Sequence, residues 1–333
     1  MTSILEKGGA GFEGIKLLLC ENPLPPLEEA ITAARAEVAR SNYYTEPYSQ
    51  PLRDWLADSL GVPTRNIHIN SGSELILRQL FDRLGERVHL LTPTYPLFLE
   101  IAKHYNETRL LPGRNFTCSL TDLRIAPNTT LVVIVNPNNP NGGVFDMEPL
   151  PDLLRRHPDT YFLVDEAFIG LAGQSVAQLV PEHANLLVTR TLSKAHSLAG
   201  FRVGYAILPI ALADDLNRHN DAYPLARPSQ AAALATLQQE KQIRSRIERL
   251  RDWTGQLAAA LSDLGVRTFP TQTYFFLADF APHDATELAA RLREHGILVK
   301  PLGDVRLGTG YMRVTTALPE ENARVVRTLH DLL

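Results

Sequence analysis

One lysine gathers the groups with which this chain could do chemistry. Lys194 lies in Arg190-Thr191-Leu192-Ser193-Lys194-Ala195-His196-Ser197-Leu198-Ala199-Gly200-Phe201-Arg202-Val203-Gly204, just past an apolar run ending at Val188. Its primary amine is a nucleophile toward an aldehyde, while the hydroxyls of Thr191 and Ser193 and the guanidinium of Arg202 suit a phosphate. The stretch therefore suits the anchoring of a phosphorylated aldehyde cofactor through a Schiff base. A lone Ser-Lys pair carries no such meaning, because most such lysines are solvated surface residues.

Further polar groups follow other apolar runs. Asn70-Ser71-Gly72-Ser73-Glu74 opens a helical pattern, and small residues at a helix start leave backbone N–H groups for a phosphate or for an ordinary cap. Tyr95, in Thr92-Pro93-Thr94-Tyr95-Pro96, offers a flat ring on a proline-flanked loop, suited to stacking on a cofactor or to plain core packing. Asn136-Pro137-Asn138-Asn139-Pro140-Asn141-Gly142-Gly143 has the composition of a tight turn. Asp165 begins Asp165-Glu166-Ala167-Phe168 at the end of an apolar run, where an isolated aspartate is usually a helix cap. In open α/β sheets, ligands bind outside the carboxyl ends of the strands. Each of these clusters falls at such an end.

Together the segments resemble those of fold-type I pyridoxal-phosphate (PLP) aminotransferases. The lysine segment is closest to the histidinol-phosphate aminotransferase branch, whose motif reads R-T-[LF]-S-K-x-x-x-L-A-G-x-R-x-G. The resemblance runs from Glu21-Asn22-Pro23 to the last strand, and it implies roles residue by residue. Lys194 would hold PLP and move the proton, and Asp165, 29 residues earlier, would keep the pyridine nitrogen protonated. Ser71, Gly72, Ser73, Thr191, Ser193 and Arg202 would hold the phosphate, Tyr95 would cover the ring, and Asn139 would donate to its phenolic oxygen. Tyr44, in a Y-P-[DE]-P-like segment, would reach the cofactor of a partner subunit, which implies a homodimer with a shared active site. Arg313, in Gly310-Tyr311-Met312-Arg313-Val314-Thr315, would grip the substrate carboxylate as a bidentate fork, with Asn22 and Lys300 also at the substrate.

The chain departs from the branch at four places. Phe168 replaces the usual tyrosine of D-E-A-Y and lacks its hydroxyl. Asn141 replaces a threonine. Lys300 stands where the branch has an arginine for a substrate phosphate, and Thr273-Tyr274-Phe275-Phe276 replaces A-N-[FY]. The last two point away from a phosphorylated substrate. Transamination between an amino acid (or a histidinol phosphate-like amine) and a 2-oxo acid is the expected activity. Phe168 motivates a second reading, a threonine-phosphate-type decarboxylase. A reading of another class is a non-catalytic PLP-binding regulator domain. It would need an attached DNA-binding module, and the enzyme-like segment starts close to the first residue, so an enzyme is expected.

The elements that must position these residues follow from periodicity. Short apolar runs at 67–69, 88–91, 131–135, 161–164, 186–189 and 203–208 alternate with helical patterns, predicting an α/β domain with a largely parallel sheet. Beyond about residue 220, helical patterns at 229–264 and 285–294 flank strands at 273–278 and 312–315, and a last helix starts near 320. The expected fold is thus the aspartate aminotransferase-like PLP-dependent transferase fold, with a large domain over 36–222 and a smaller α+β domain from 1–35 and 223–333. A chain of 333 residues with 44% hydrophobic content can fill two cores. Its net charge of −4 and lack of a basic run argue against nucleic acid. Two cysteines make neither a disulfide framework nor a CxxC metal site, and the histidines lack metal-ligand spacing, so no metal is expected. Gly8-Gly9-Ala10-Gly11 reads as a flexible stretch, not a phosphate loop. With no signal peptide or membrane span in the pattern, a cytoplasmic enzyme is expected.

Overall fold

A computed structural model gives the fold and describes residues 11–302 and 307–333. The glycine stretch at 8–10 lies outside those residues. The chain divides into two compact units, one of residues 26–139 and 144–243, the other of 1–25, 140–143 and 244–333.

The larger unit is built on seven strands: β1 (Ile67–Ser71), β2 (Val88–Thr92), β3 (Tyr105–Arg109), β4 (Leu131–Val135), β5 (Tyr161–Asp165), β6 (Leu186–Thr191) and β7 (Val203–Ile207). They lie side by side in the order β1-β7-β6-β5-β4-β2-β3. Only β7 runs antiparallel to its neighbours; the other adjacent pairs are parallel. The interior strand β4, Leu-Val-Val-Ile-Val, is buried along its whole length, as a strand covered on both faces must be. One covering element is the helix Ser73–Leu84, whose Ile76, Leu77, Leu80 and Phe81 join Val88, Leu90, Leu131, Val133 and Leu163 in a single apolar cluster.

Six of these strands lie where the apolar runs predict them. β3 is the exception: its sequence Tyr-Asn-Glu-Thr-Arg has no apolar period, and it forms because it pairs in register with β2 at the sheet edge.

The helical pattern at 229–264 resolves into two helices, Arg227–Leu237 and Glu240–Asp263. The first packs with Glu28–Val38 in the larger unit, where Arg227 Nε donates to Glu37 at 2.6 Å. Residues 26–35 and 223–243, grouped by the sequence reading with the smaller domain, therefore lie within the larger unit.

The smaller unit holds a four-stranded antiparallel sheet. Its strands β8 (Arg267–Thr268), β9 (Phe275–Asp279), β10 (Lys300–Pro301) and β11 (Tyr311–Thr315) are ordered β10-β11-β9-β8. Ile15–Lys16 pairs in parallel with Ile297–Leu298 beside it. Helix Ala285–Glu294 starts at Asp284, whose carboxylate accepts from Thr286 N–H and Glu287 N–H and so caps the first turn. It and helix Pro319–Leu332 bury Leu288, Leu292, Val325 and Leu329 against Phe276, Met312 and Val314. No helix among the described residues is long and apolar enough to cross a membrane.

Candidate active site

The parallel strands of the larger unit deliver their polar residues at one end of the sheet. Asp165 closes β5 and stands in register with Thr189 of β6. Its Oδ1 accepts from Thr189 Oγ1 at 3.1 Å and from the Ala167 N–H at 3.2 Å. Burial pushes its pKa from 3.8 up to about 6, against the pull of those two hydrogen bonds. A carboxylate kept at that cost is suited to receive a cationic partner. Past the end of β6, Lys194 Nζ lies 5.6 Å from the ring centroid of Phe168, a side chain that is itself buried. Position 168 thus faces the amine.

Beside Asp165 lies a buried pair that sequence reasoning passed over. Glu166 accepts from Arg190 Nε at 2.8 Å, from Ser175 Oγ at 2.9 Å and from the Val176 N–H at 2.8 Å. Burial alone would lower the pKa of Arg190, but Tyr205 and Glu166 outweigh it and raise the value, so the guanidinium stays charged. His196, two residues beyond Lys194, is pushed down to about 4, first by burial and then by that guanidinium. Its imidazole is neutral at pH 7. The D-E dipeptide and the arginine before Thr191 were visible in the sequence, but their pairing across neighbouring strands was not.

The phosphate-type residues gather where β1, β6 and β7 meet. Gly72 adopts φ +86° between β1 and the helix that starts at Ser73, and a Cβ on it would strike the guanidinium of Arg202. A Cβ on Gly204 would strike the Ser73 nitrogen. Both glycines are therefore required, one so that Arg202 can lie over the turn, the other so that the helix start can approach β7. Thr191, in register with Gly204, has its Oγ1 2.9 Å from Ser193 Oγ and accepts from the Ser193 N–H at 3.1 Å. Ser71, Gly72, Ser73, Thr191, Ser193 and Arg202 thus gather helix N–H, hydroxyl and guanidinium donors in one place, a combination that suits a phosphate.

Two further loops flank the group. Tyr95 caps the helix Pro96–Ile101 just after β2 and packs edge-on against Phe98 at 5.9 Å. After β4, Asn138 Nδ2 donates to the Pro93 carbonyl at 3.1 Å and ties the two loops together. Asn136 Oδ1 accepts from the Phe145 N–H at 3.0 Å, and Asn139, three residues further along the same loop, is buried.

Tyr44 is not drawn into this cluster. It is 76% exposed, stacked on Tyr223 at 4.4 Å, with its carbonyl accepting from Arg227.

In the smaller unit, Arg313 is buried on β11, donates to the Leu18 carbonyl and lies 5.8 Å from the ring centroid of Phe275. Lys300 of β10 is its direct partner in the ladder, so both side chains leave the same face of the sheet. The Asn22 side chain accepts from the Leu24 N–H at 3.0 Å, shaping its own turn.

The family model for aminotransferase class I and II matches residues 14–329 of the chain. Histidinol-phosphate aminotransferase 1 of Pseudomonas aeruginosa is 32% identical over 328 residues, covering 96% of this chain and 92% of that protein. Among solved structures, histidinol-phosphate aminotransferase from Sinorhizobium meliloti, in complex with pyridoxal-5′-phosphate, superimposes with a TM-score of 0.83 at 22% identity, over 96% of this chain and 92% of that one. L-threonine-O-3-phosphate decarboxylase from Porphyromonas gingivalis gives a TM-score of 0.85 at 21% identity, over 96% and 99%. At those identities the two structural likenesses speak to the fold alone.

Proposed function

This chain belongs to the class I and II aminotransferase family, PLP enzymes of aspartate aminotransferase-like fold, and from that premise we propose that it transfers the α-amino group of a carboxylate-bearing amino acid to a 2-oxo acid. The residues of the larger unit fit the cofactor. The Arg202 guanidinium lies directly over Gly72 at the start of the helix, an arrangement that suits a phosphate, and buried Asp165 suits a protonated ring nitrogen. When bound, PLP supplies an electron sink for the pair left at the substrate α-carbon as a bond there breaks. The rest falls to this chain's own residues. Asp165 would hold a proton on the ring nitrogen. Lys194 would hold the cofactor covalently, and its freed amine would carry the proton that leaves the α-carbon. Asn139 would donate to the ring's phenolic oxygen, and Tyr95 would cover the ring.

The observation that carries the choice of substrate is Arg313. Its guanidinium is buried on a strand, and its planar fork matches a carboxylate. As the family resemblance implies, a substrate carboxylate gripped by Arg313 would leave the C–H bond as the one to break. Lys300 beside it cannot reproduce an arginine fork for a phosphate. The named relative acts, by its name, on histidinol phosphate, a substrate with phosphate and no carboxylate. For this chain we place the unphosphorylated amino acid first.

The surface around Tyr44 supports assembly as a homodimer. Val38, Tyr43, Tyr44, Tyr48 and Tyr223 all expose apolar surface in the larger unit, and such a patch suits a second copy, with Tyr44 reaching the partner's cofactor. A cytoplasmic location completes the reading.

The deciding experiment follows the cofactor's visible absorbance as purified enzyme meets amino acids and phosphorylated amines. An unphosphorylated amino acid is expected to convert the bound cofactor to its amine form, and 2-oxoglutarate or another oxo acid to restore it. Release of carbon dioxide from threonine phosphate, with the cofactor remaining an aldehyde throughout, would assign the chain to decarboxylation instead, the outcome Phe168 would then explain.

A further inference from the structure

Three side chains of the smaller unit's sheet hold backbone carbonyls of one short segment. Tyr274 Oη donates to the Cys20 carbonyl at 2.7 Å, Thr315 Oγ1 donates to the Leu17 carbonyl at 3.0 Å, and Arg313 Nη2 donates to the Leu18 carbonyl. The segment enters by pairing: Ile15 N–H donates to the Gly296 carbonyl at 2.9 Å and Leu17 N–H to the Leu298 carbonyl at 2.7 Å. It leaves at Cys20, whose φ of +49° turns the chain, with Cys20 Sγ 3.6 Å from Thr315 Oγ1. Residues 17–20 are thus a strap, fixed at the Leu17 end by strand pairing and Thr315 and at the Cys20 end by Tyr274. The Leu18 carbonyl between those two ends meets Arg313.

Tyr274 and Thr315 are both buried to within 1% of completely, and burial keeps the tyrosine hydroxyl protonated as a donor. Neither is a residue that a carboxylate substrate would need to touch. Their hydrogen bonds fix where the Leu18 carbonyl stands, and that carbonyl with the Phe275 ring fixes the plane of the Arg313 guanidinium. Orientation matters for this group, because a bidentate grip on a planar anion is lost when the fork rotates.

We infer that Tyr274 and Thr315 are positioning residues for Arg313, acting through the 17–20 strap to hold its guanidinium ready for a substrate carboxylate. This rests on Arg313 being the carboxylate anchor. A tyrosine at 274, where the resembled branch has asparagine, is then part of how this chain selects a carboxylate over a phosphate.

The test uses PLP-loaded enzyme and two probes read by cofactor absorbance: succinate, which does not react and needs the anchor, and propylamine, a primary amine that exchanges at the cofactor aldehyde without needing the anchor. Tyr274→Phe and Thr315→Val are each expected to weaken succinate binding about tenfold, the effect of one lost buried hydrogen bond. Propylamine affinity should stay within twofold. The same variants should raise KM for the amino acid with little change in kcat, and Thr315→Ser, which keeps the hydroxyl, should bind succinate as the wild type does. Equal losses for both probes, or unchanged succinate binding in Tyr274→Phe and Thr315→Val, overturn the inference. Should Tyr274→Phe fail to fold, the contrast between Thr315→Val and Thr315→Ser decides alone. Arg313→Gln separates the two levels. If it binds succinate normally, the anchor reading itself fails; if it loses succinate while the strap variants do not, only the positioning role falls.

Discussion

Asp165→Asn should stabilise the cofactor-free protein and weaken the loaded one. The carboxyl has its pKa raised from 3.8 to about 6 by burial. Between those two values the folded state keeps a proton that the unfolded chain has already released. Stability therefore falls as pH rises through that window and is level above it. At about 1.4 kcal/mol per pH unit the loss amounts to roughly 3 kcal/mol. Asparagine does not ionise, and its side-chain oxygen can still accept from Thr189 Oγ1 and the Ala167 N–H. Urea unfolding of cofactor-free protein from pH 4 to pH 8 should show Asp165→Asn level where the wild type declines, with the variant ahead by up to roughly 3 kcal/mol at pH 8. With PLP present the order should reverse, because the charged carboxylate regains a cationic partner and the amide does not. The expected loss of cofactor affinity is about 10- to 100-fold, the scale of a hydrogen bond to a charged group. Parallel pH–stability curves for the two cofactor-free proteins would refute the argument, because Asp165 would then not be carrying the cost of burial.

Three other outcomes follow. Purified enzyme should be yellow and yield a borohydride-stable adduct on Lys194, whereas Lys194→Ala should bind cofactor without any reducible bond; peptide mapping of the reduced protein reads this directly. Phe168→Tyr should place a hydroxyl near the Lys194 amine, now 5.6 Å from the phenyl centroid. If it donates to the ring oxygen it should lower the spectral pKa of the lysine–cofactor link by about one unit, and an unmoved titration would show that residue 168 does not face that oxygen. Tyr44→Phe should weaken cofactor binding by about 1–2 kcal/mol, with sedimentation showing a dimer in both proteins; a fully active monomer would exclude a shared site.

Much of this arrangement was legible because chemistry and position coincide in the sequence. Asp165, Asn139, Tyr95 and Lys194 each follow an apolar run, and each does sit at a strand's carboxyl end. What stayed hidden depends on contacts between residues far apart in the chain. Glu166 and Arg190 read as ordinary charges until β5 and β6 lie side by side. The Tyr274–Cys20 bond joins residues 254 apart, and no local pattern encodes it. The limits of the larger unit shifted for the same reason, since helix Glu28–Val38 belongs with a partner nearly 200 residues downstream. Tyr44 was legible as a motif, yet within one chain its ring stacks on Tyr223 and its carbonyl accepts from Arg227.

The strand that periodicity missed has a consequence for solubility. β3 lies at one edge of the seven-stranded sheet, where unpaired backbone groups could template the addition of another chain. Its Tyr-Asn-Glu-Thr-Arg sequence is mostly exposed, and Glu107 accepts from Arg109 Nε and from Thr92 Oγ1, each at 2.9 Å. An edge strand of this kind is poor in the apolar, β-branched residues that favour cross-β stacking, and its charged side chains would lose water if another strand docked there. The lack of hydrophobic pattern that concealed β3 in the sequence thus also guards the sheet against growing beyond its own chain. Valines at 107 and 109 would make the strand easy to recognise and turn the edge into a site for aggregation.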